Sequence, residues 1–154
     1  MKRENPALVG IPATLALSAL LAACSSFLNP SYDYDELSAK RDPSQSYFED
    51  SLTVFFFDYP NPYPDKEVLW FAAFEEGDVE MRIHNMENDS LVAIYRFQPQ
   101  KAPVYPIAYR AEESVPVKCV IRVNDRPKCA KQMPWMYPLP VPQWGTEYSV
   151  EEVQ

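Results

Sequence analysis

Glycine is scarce in this chain. Only Gly10, Gly77 and Gly145 occur in 154 residues, and neither G-x-G-x-x-G nor G-x-x-x-x-G-K is spelled anywhere, which excludes the glycine loops that cradle phosphates. Turns must be made instead from Asn, Asp and the 16 prolines. Histidine is scarcer still, with His84 alone. Multi-histidine metal centres are thereby excluded, and a Ser-His-Asp relay would have to be built on His84 with no G-x-S-x-G elbow to present a serine. No C-x-x-C pair and no D-x-[DN]-x-[DN]-G calcium loop is present. Positive charge is in deficit, 14 Lys and Arg against 22 Asp and Glu for a net −8. Such a chain is repelled by nucleic acid and by anionic head groups and is drawn to basic proteins. These absences point away from catalysis, and no cofactor, metal or small-molecule substrate is expected.

Long apolar runs are missing beyond the N-terminus. There, Lys2 and Arg3 precede a stretch from Ala7 to Ala23 that ends Leu20-Leu21-Ala22-Ala23-Cys24. Gly10 and Pro12 interrupt it, and it is short for a membrane span, but it has the layout of an export signal. Leu21-Ala22-Ala23-Cys24 resembles the lipobox of bacterial lipoproteins, in which small residues precede an obligatory cysteine. The resemblance covers about the first 25 residues only. It implies that the Cys24 thiol takes a diacylglycerol, that cleavage falls between Ala23 and Cys24, and that the new amine is acylated. Ser25 in place of an aspartate implies outer-membrane delivery, here expected to face the periplasm. Each buried acyl methylene contributes about 0.8 kcal/mol, so such an anchor releases slowly.

Removing the leader leaves 131 of the 154 residues and takes the net charge from −8 to −9, enough chain for one domain. Residues 24–50 read as a flexible lipidated tether, rich in Ser, Asp, Pro and Tyr and without sustained periodicity; a short helix around Tyr32–Lys40 is the one element they could hold. A β domain is expected over 51–132. Val54-Phe55-Phe56-Phe57 has the signature of a buried strand, Glu67–Phe74 is apolar on both faces, and Asp78–His84 alternates Val79, Met81 and Ile83 against Glu80, Arg82 and His84. Ser90–Phe97, Val104–Arg110 and Val115–Val123 follow, with turn residues between. Short strands at this spacing indicate an all-β fold, a small antiparallel sandwich or partly open barrel of about six to seven strands.

Residues 133–154 form a Pro- and aromatic-rich extension. Alternating prolines in Met133–Trp144 favour a polyproline-like path laid across the domain. Cys119 and Cys129 flank Asn124-Asp125-Arg126-Pro127. A hairpin pivoting on Asn124 would set the two cysteines directly opposite each other on the face that carries Val117 and Ile121, as a cross-strand disulfide requires. An exported chain meets an oxidising compartment that permits such a bond. Exposed aromatics held by proline lose little entropy on binding, so Tyr59 and Tyr63 in one loop and Trp135, Tyr137 and Trp144 in the extension are the candidate partner contacts.

The expectation is therefore an outer-membrane-anchored lipoprotein, attached through Cys24, whose non-catalytic β domain binds another envelope protein as an accessory or assembly factor of an envelope or secretion machine. An acidic inhibitor or immunity lipoprotein directed at a basic lytic enzyme or toxin is the alternative. Cys24→Ser should move the protein from the membrane to the soluble fraction of lysed cells; continued sedimentation with membranes would refute the lipid anchor.

Overall fold

The computed structural model describes residues 32–49, 51–61, 67–99, 102–138 and 148–153, with backbone alone at 108, 110–115 and 135–138. Among the described residues one helix, α1 (Tyr34–Ser38), precedes eight strands: β1 (Ser46–Tyr47), β2 (Val54–Phe56), β3 (Glu67–Ala73), β4 (Val79–Asn85), β5 (Leu91–Phe97), β6 (Val104–Val123), β7 (Arg126–Pro138) and β8 (Tyr148–Glu152). Among the described residues no helix is long and apolar enough to cross a membrane.

The strands form two antiparallel sheets that share β6 and do not close into a barrel. The larger has the order β1-β7-β6-β4-β5-β8, and the smaller runs β2-β3-β6. The first part of β6 pairs with β3, from Ala72↔Val104 to Glu67↔Tyr109. Its last part pairs with β4, from Asn85↔Val117 to Val79↔Val123. Between them the ladder with β7 is irregular from Glu112 to Val117, where Pro116 and Pro134 withhold amide hydrogens. What reads in the sequence as two strands is thus one strand that changes sheet.

The alternating residues of the strands meet between the sheets. Val54 and Phe56 of β2, Leu69 and Phe71 of β3, Val79, Met81 and Ile83 of β4, Tyr95 and Phe97 of β5, and Val117, Cys119, Ile121 and Val123 of β6 are all buried in one cluster. Phe71 stacks on Tyr105 at 4.8 Å and meets Phe97 edge-on at 5.3 Å, a geometry favoured by the ring quadrupoles.

The other face of β2 and β3 is also apolar, and this explains the run Val54–Phe57. Phe55, Phe57 and Ala72 turn away from the main core and pack with Val104 and with Leu37 of α1, while Tyr32, Tyr34, Trp70 and Phe74 close the edges. The free edge of β2 is satisfied by the same N-terminal segment: Asp42 N donates to Phe56 O at 2.9 Å, Phe56 N donates to Gln45 Oε1 at 2.8 Å, and Arg41 bridges Phe57. The tether expected over 24–50 is therefore folded domain from residue 32 to 49. Its polar composition conceals Leu37, which is only 1% exposed.

Two other expectations are corrected. The extension begins inside a strand, because Met133–Pro138 continues β7 and pairs with Val117 and then Tyr109–Glu112 of β6; hydrogen bonds to a neighbour displace the free polyproline path. The hairpin register also differs. Asn124 and Asp125, with φ of 50° and 63°, form a two-residue turn of the kind that matches strand twist. Val123 faces Arg126 and Arg122 faces Pro127, after which the register shifts so that Ile121 faces Cys129 and Cys119 faces Lys131. Pro127 has no amide hydrogen to give the ladder, and Lys128 is the additional residue of the bulge.

Cys119 and Cys129 thus lie on one face but on a diagonal, where Cα atoms are about 7–8 Å apart, beyond the usual disulfide span. Both are buried thiols. Cys119 Sγ approaches Met133 Sδ at 3.8 Å. Burial pushes each thiol up to about 12, opposed at Cys119 by the charge of Lys131 and at Cys129 by a backbone hydrogen bond at Phe56. Both should resist alkylation in the native protein at pH 8 and react after denaturation without reductant. A requirement for reductant before Cys119 and Cys129 become alkylated would contradict this register.

Candidate functional site

The turn between β3 and β4 is held open by the tip of the β6–β7 hairpin. Asn124 Oδ1 accepts from Asp78 N at 3.1 Å, its Nδ2 donates to Glu76 O at 3.1 Å, and Asn124 N donates to Asp78 O at 3.0 Å. Gly77, at φ 146°, lies against the Asn124 amide, so a Cβ there would overlap the side chain. This is the one place in the described chain where a glycine is required by both conformation and space.

Beside this turn is an open groove of about 670 Å³, lined by Phe74, Glu75, Glu76 and Asp78 on one side and by Tyr32, Pro103 and Tyr105 on the other. Glu75 is engaged by the buried Lys128 ammonium at 2.7 Å. No ion pair occupies Glu76 or Asp78 among the described residues. A smaller depression of about 260 Å³ adjoins it across Asp78 and is lined also by Glu80, Arg96 and Asp125. Carboxylates on a turn whose backbone is held by Asn124, set beside aromatic walls, suit a cationic side chain. Among the described residues no group of three His, Cys, Asp or Glu side chains is arranged to hold a metal ion.

A second concentration of side chains surrounds the point where the chain enters the domain. The Arg41 guanidinium lies 4.6 Å from the Phe55 ring, 5.6 Å from Tyr34 and 5.8 Å from Tyr47, and donates to Tyr34 Oη and Leu52 O at 2.6 Å each. Next to it Asp42, 6% exposed, pairs with Lys131 of β7 and accepts from Ser44 N at 2.8 Å and Ser44 Oγ at 2.6 Å. Burial opposes ionisation of Asp42, but the bonds from Lys131 and Ser44 outweigh it and hold the carboxyl below its ordinary 3.8.

Of the expected partner contacts, Tyr59 is 42% exposed, with its ring 5.0 Å from Trp70 and the Lys40 ammonium 5.5 Å from it. Trp135 and Tyr137 lie on β7, opposite Glu112 and Arg110. Tyr63, Trp144 and Cys24 lie outside the described residues. Of the five aromatics, Tyr59 alone has a described side chain. His84, at the end of β4, has Nδ1 3.3 Å from Asp89 O and 3.9 Å from an Asp89 carboxylate oxygen that Lys118 also contacts at 3.2 Å. No hydroxyl or thiol bonds to its ring among the described residues, so this surface trio lacks a nucleophile. The groove was passed over in the sequence because Glu75-Glu76-Gly77-Asp78 reads as an ordinary turn; the clue was a lone glycine between acids, whose partner Asn124 is remote in the chain.

The fold and these surfaces define a small β-sandwich domain with an acidic, aromatic-walled groove. No family model, curated protein or solved structure matches the chain.

Because the folded-state value of Asp42 is depressed, the stability it contributes is fully present above 3.8 and is lost as pH falls through the lower folded-state value. Asp42→Asn should lower stability at pH 7 by about 1–3 kcal/mol, the cost of leaving Lys131 unpaired. It should also flatten the acid limb of the stability curve in urea unfolding between about pH 5 and 2. An acid limb identical to that of the unaltered protein would refute the assignment.

Proposed function

We propose that this chain is an outer-membrane lipoprotein, anchored through Cys24, whose β-sandwich is a non-catalytic binding module for an envelope protein. The anchor rests on Leu21-Ala22-Ala23-Cys24. The observation that carries the binding reading is the groove, where Glu76 and Asp78 stand against Tyr32, Phe74 and Tyr105 with no ion pair on either acid among the described residues. A basic segment of the partner would place Lys or Arg there. The net −8 of the chain favours the same class of partner by steering its approach. Rigid walls support the reading, since the Asn124 bonds fix the turn before a partner arrives and little ordering entropy is lost on docking. An accessory role in assembling an envelope or secretion machine suits a tethered module of this kind.

The acidic rim also favours a second reading, an inhibitor or immunity lipoprotein directed at a basic lytic enzyme or toxin. The two differ in what the partner does once bound: a structural component in the first case, an enzyme whose activity falls in the second.

Cross-linking the anchored protein in cells and recovering it under denaturing conditions tests both. An envelope protein should be recovered, and its affinity for the purified chain should fall as salt rises from 50 to 500 mM. Glu76→Gln with Asp78→Asn should weaken binding about tenfold, as expected for the loss of two partly screened ion pairs. Recovery of no envelope protein, or of one indifferent to both the salt and the double substitution, would refute the groove as the binding site.

A further inference from the structure

A strand at the edge of a sheet offers unpaired backbone groups to any chain that can lie beside it, and folded proteins blunt such edges. Three edges of this domain are blunted. β1, at one end of the larger sheet, has only two residues. β7, beyond its pairing with β1, carries Pro134 and Pro138, which have no amide hydrogen to offer. The edge of β2 is bonded to Asp42 and Gln45. β8, at the other end of the larger sheet, is different. Tyr148–Glu152 run beside β5 in an unbroken register without proline, lysine or bulge. Among the described residues nothing pairs with the outer side of this strand.

The phase of the β5–β8 ladder decides which groups are left over. Val153 N donates to Val92 O at 2.9 Å, and this pair continues the register that sets Glu151 opposite Ile94 and Ser149 opposite Arg96. Bonded and non-bonded pairs alternate along an antiparallel ladder. The N–H and C=O of Ser149 and Glu151 therefore point to β5, and those of Tyr148, Val150 and Glu152 point away from it. Side chains alternate as well. Tyr148 packs on Tyr95 and Phe97 at the core, and Val150, 36% exposed, shares that face. Ser149 and Glu151 occupy the opposite face, where Arg96 Nη1 donates to Glu151 Oε2 at 2.7 Å.

We infer that β8 pairs with β8 of a second copy of this chain, antiparallel about a two-fold axis at Val150. The outward-facing residues then satisfy one another together. Val150 meets its own counterpart and Tyr148 meets Glu152 of the second copy, each pair exchanging two backbone hydrogen bonds. On the core face the two Val150 side chains join the Tyr95 rings of both copies in one apolar row. No acid stands opposite an acid. Glu152 faces the Tyr148 phenol and Glu151 faces the Ser149 hydroxyl, while the two Arg96–Glu151 pairs balance their charge around the axis. An axis centred on Glu151 would set like charges face to face, which costs stability, so the charges select the Val150 register.

The pairing is isologous and closes at two copies. The net −8 of each copy opposes association, but screening at physiological salt limits the repulsion to about 8 Å. A strand of five residues buries less than the roughly 1,000 Å² of a stable interface, so the dimer is reversible. No residue of β8 lines the acidic groove, and the groove takes no part in the pairing.

In cells expressing the full chain, a short bismaleimide should join Ser149→Cys copies into a species of twice the chain's mass. The yield should be at least fivefold above that of Glu87→Cys, on the β4–β5 turn. Adding Val150→Lys, which sets like charges together at the axis, should lower the yield at least fivefold. Val150→Pro should do the same, since it removes an outward N–H and none that serves β5, whereas Val150→Thr should preserve the cross-link. Equal yields at Ser149 and Glu87, or a yield indifferent to both Lys and Pro at position 150, would overturn the inference. A cross-linked species containing a different protein would overturn it in favour of an extended segment of a partner on the same edge.

Discussion

The two-stranded unit β2–β3 must be buried on both faces at once, and the architecture follows from that requirement. Phe56 and Phe71 enter the core between the sheets, while Phe55, Phe57 and Ala72 face the opposite way. Left uncovered, the second set would form a large apolar patch on a water-facing sheet, which soluble domains avoid. α1 and the segment after it supply the cover, with Leu37 on the apolar face and Asp42 and Gln45 bonded to the β2 edge. A stretch that is polar on average becomes a structural layer because a few of its residues meet an unmet demand elsewhere.

That layer also brings Tyr32 to the groove, which it lines together with Phe74 and Tyr105. Carboxylates of the β3–β4 turn line the same groove, where the proposed basic partner would arrive.

Electrostatics in the domain are local. Lys128 and Lys131 project from adjacent stretches of β7 and are each paired with a carboxylate from a distant part of the chain, Glu75 and Asp42. Burying an ammonium is tolerable only with such a partner. The two pairs fasten β7 to the β3–β4 turn and to the N-terminal layer, and in doing so they consume charge that would otherwise stand free. Glu76 and Asp78 are left at the groove by this division.

Much of the strand content was legible because alternation is a local property: β3, β4 and β5 fall within a residue or two of where Glu67–Phe74, Asp78–His84 and Ser90–Phe97 place them. The antiparallel all-β class and the turn at Asn124 were legible for the same reason. The sharing of β6 between sheets was not, since it depends on which strands face each half of it. Register was lost at Pro127, where one missing amide hydrogen admits a bulge and turns an opposed pair of cysteines into a diagonal one. The groove was hidden because Gly77 and Asn124 are far apart in the chain and gain meaning only together. By itself the sequence determined the periodicity of the strands, the acidity of the body and the motif around Cys24, all of which are read from neighbouring residues. Only the tertiary structure decided that residues 32–49 belong to the domain and which carboxylates remain unpaired, because burial and pairing are properties of contacts between segments that the linear order does not contain.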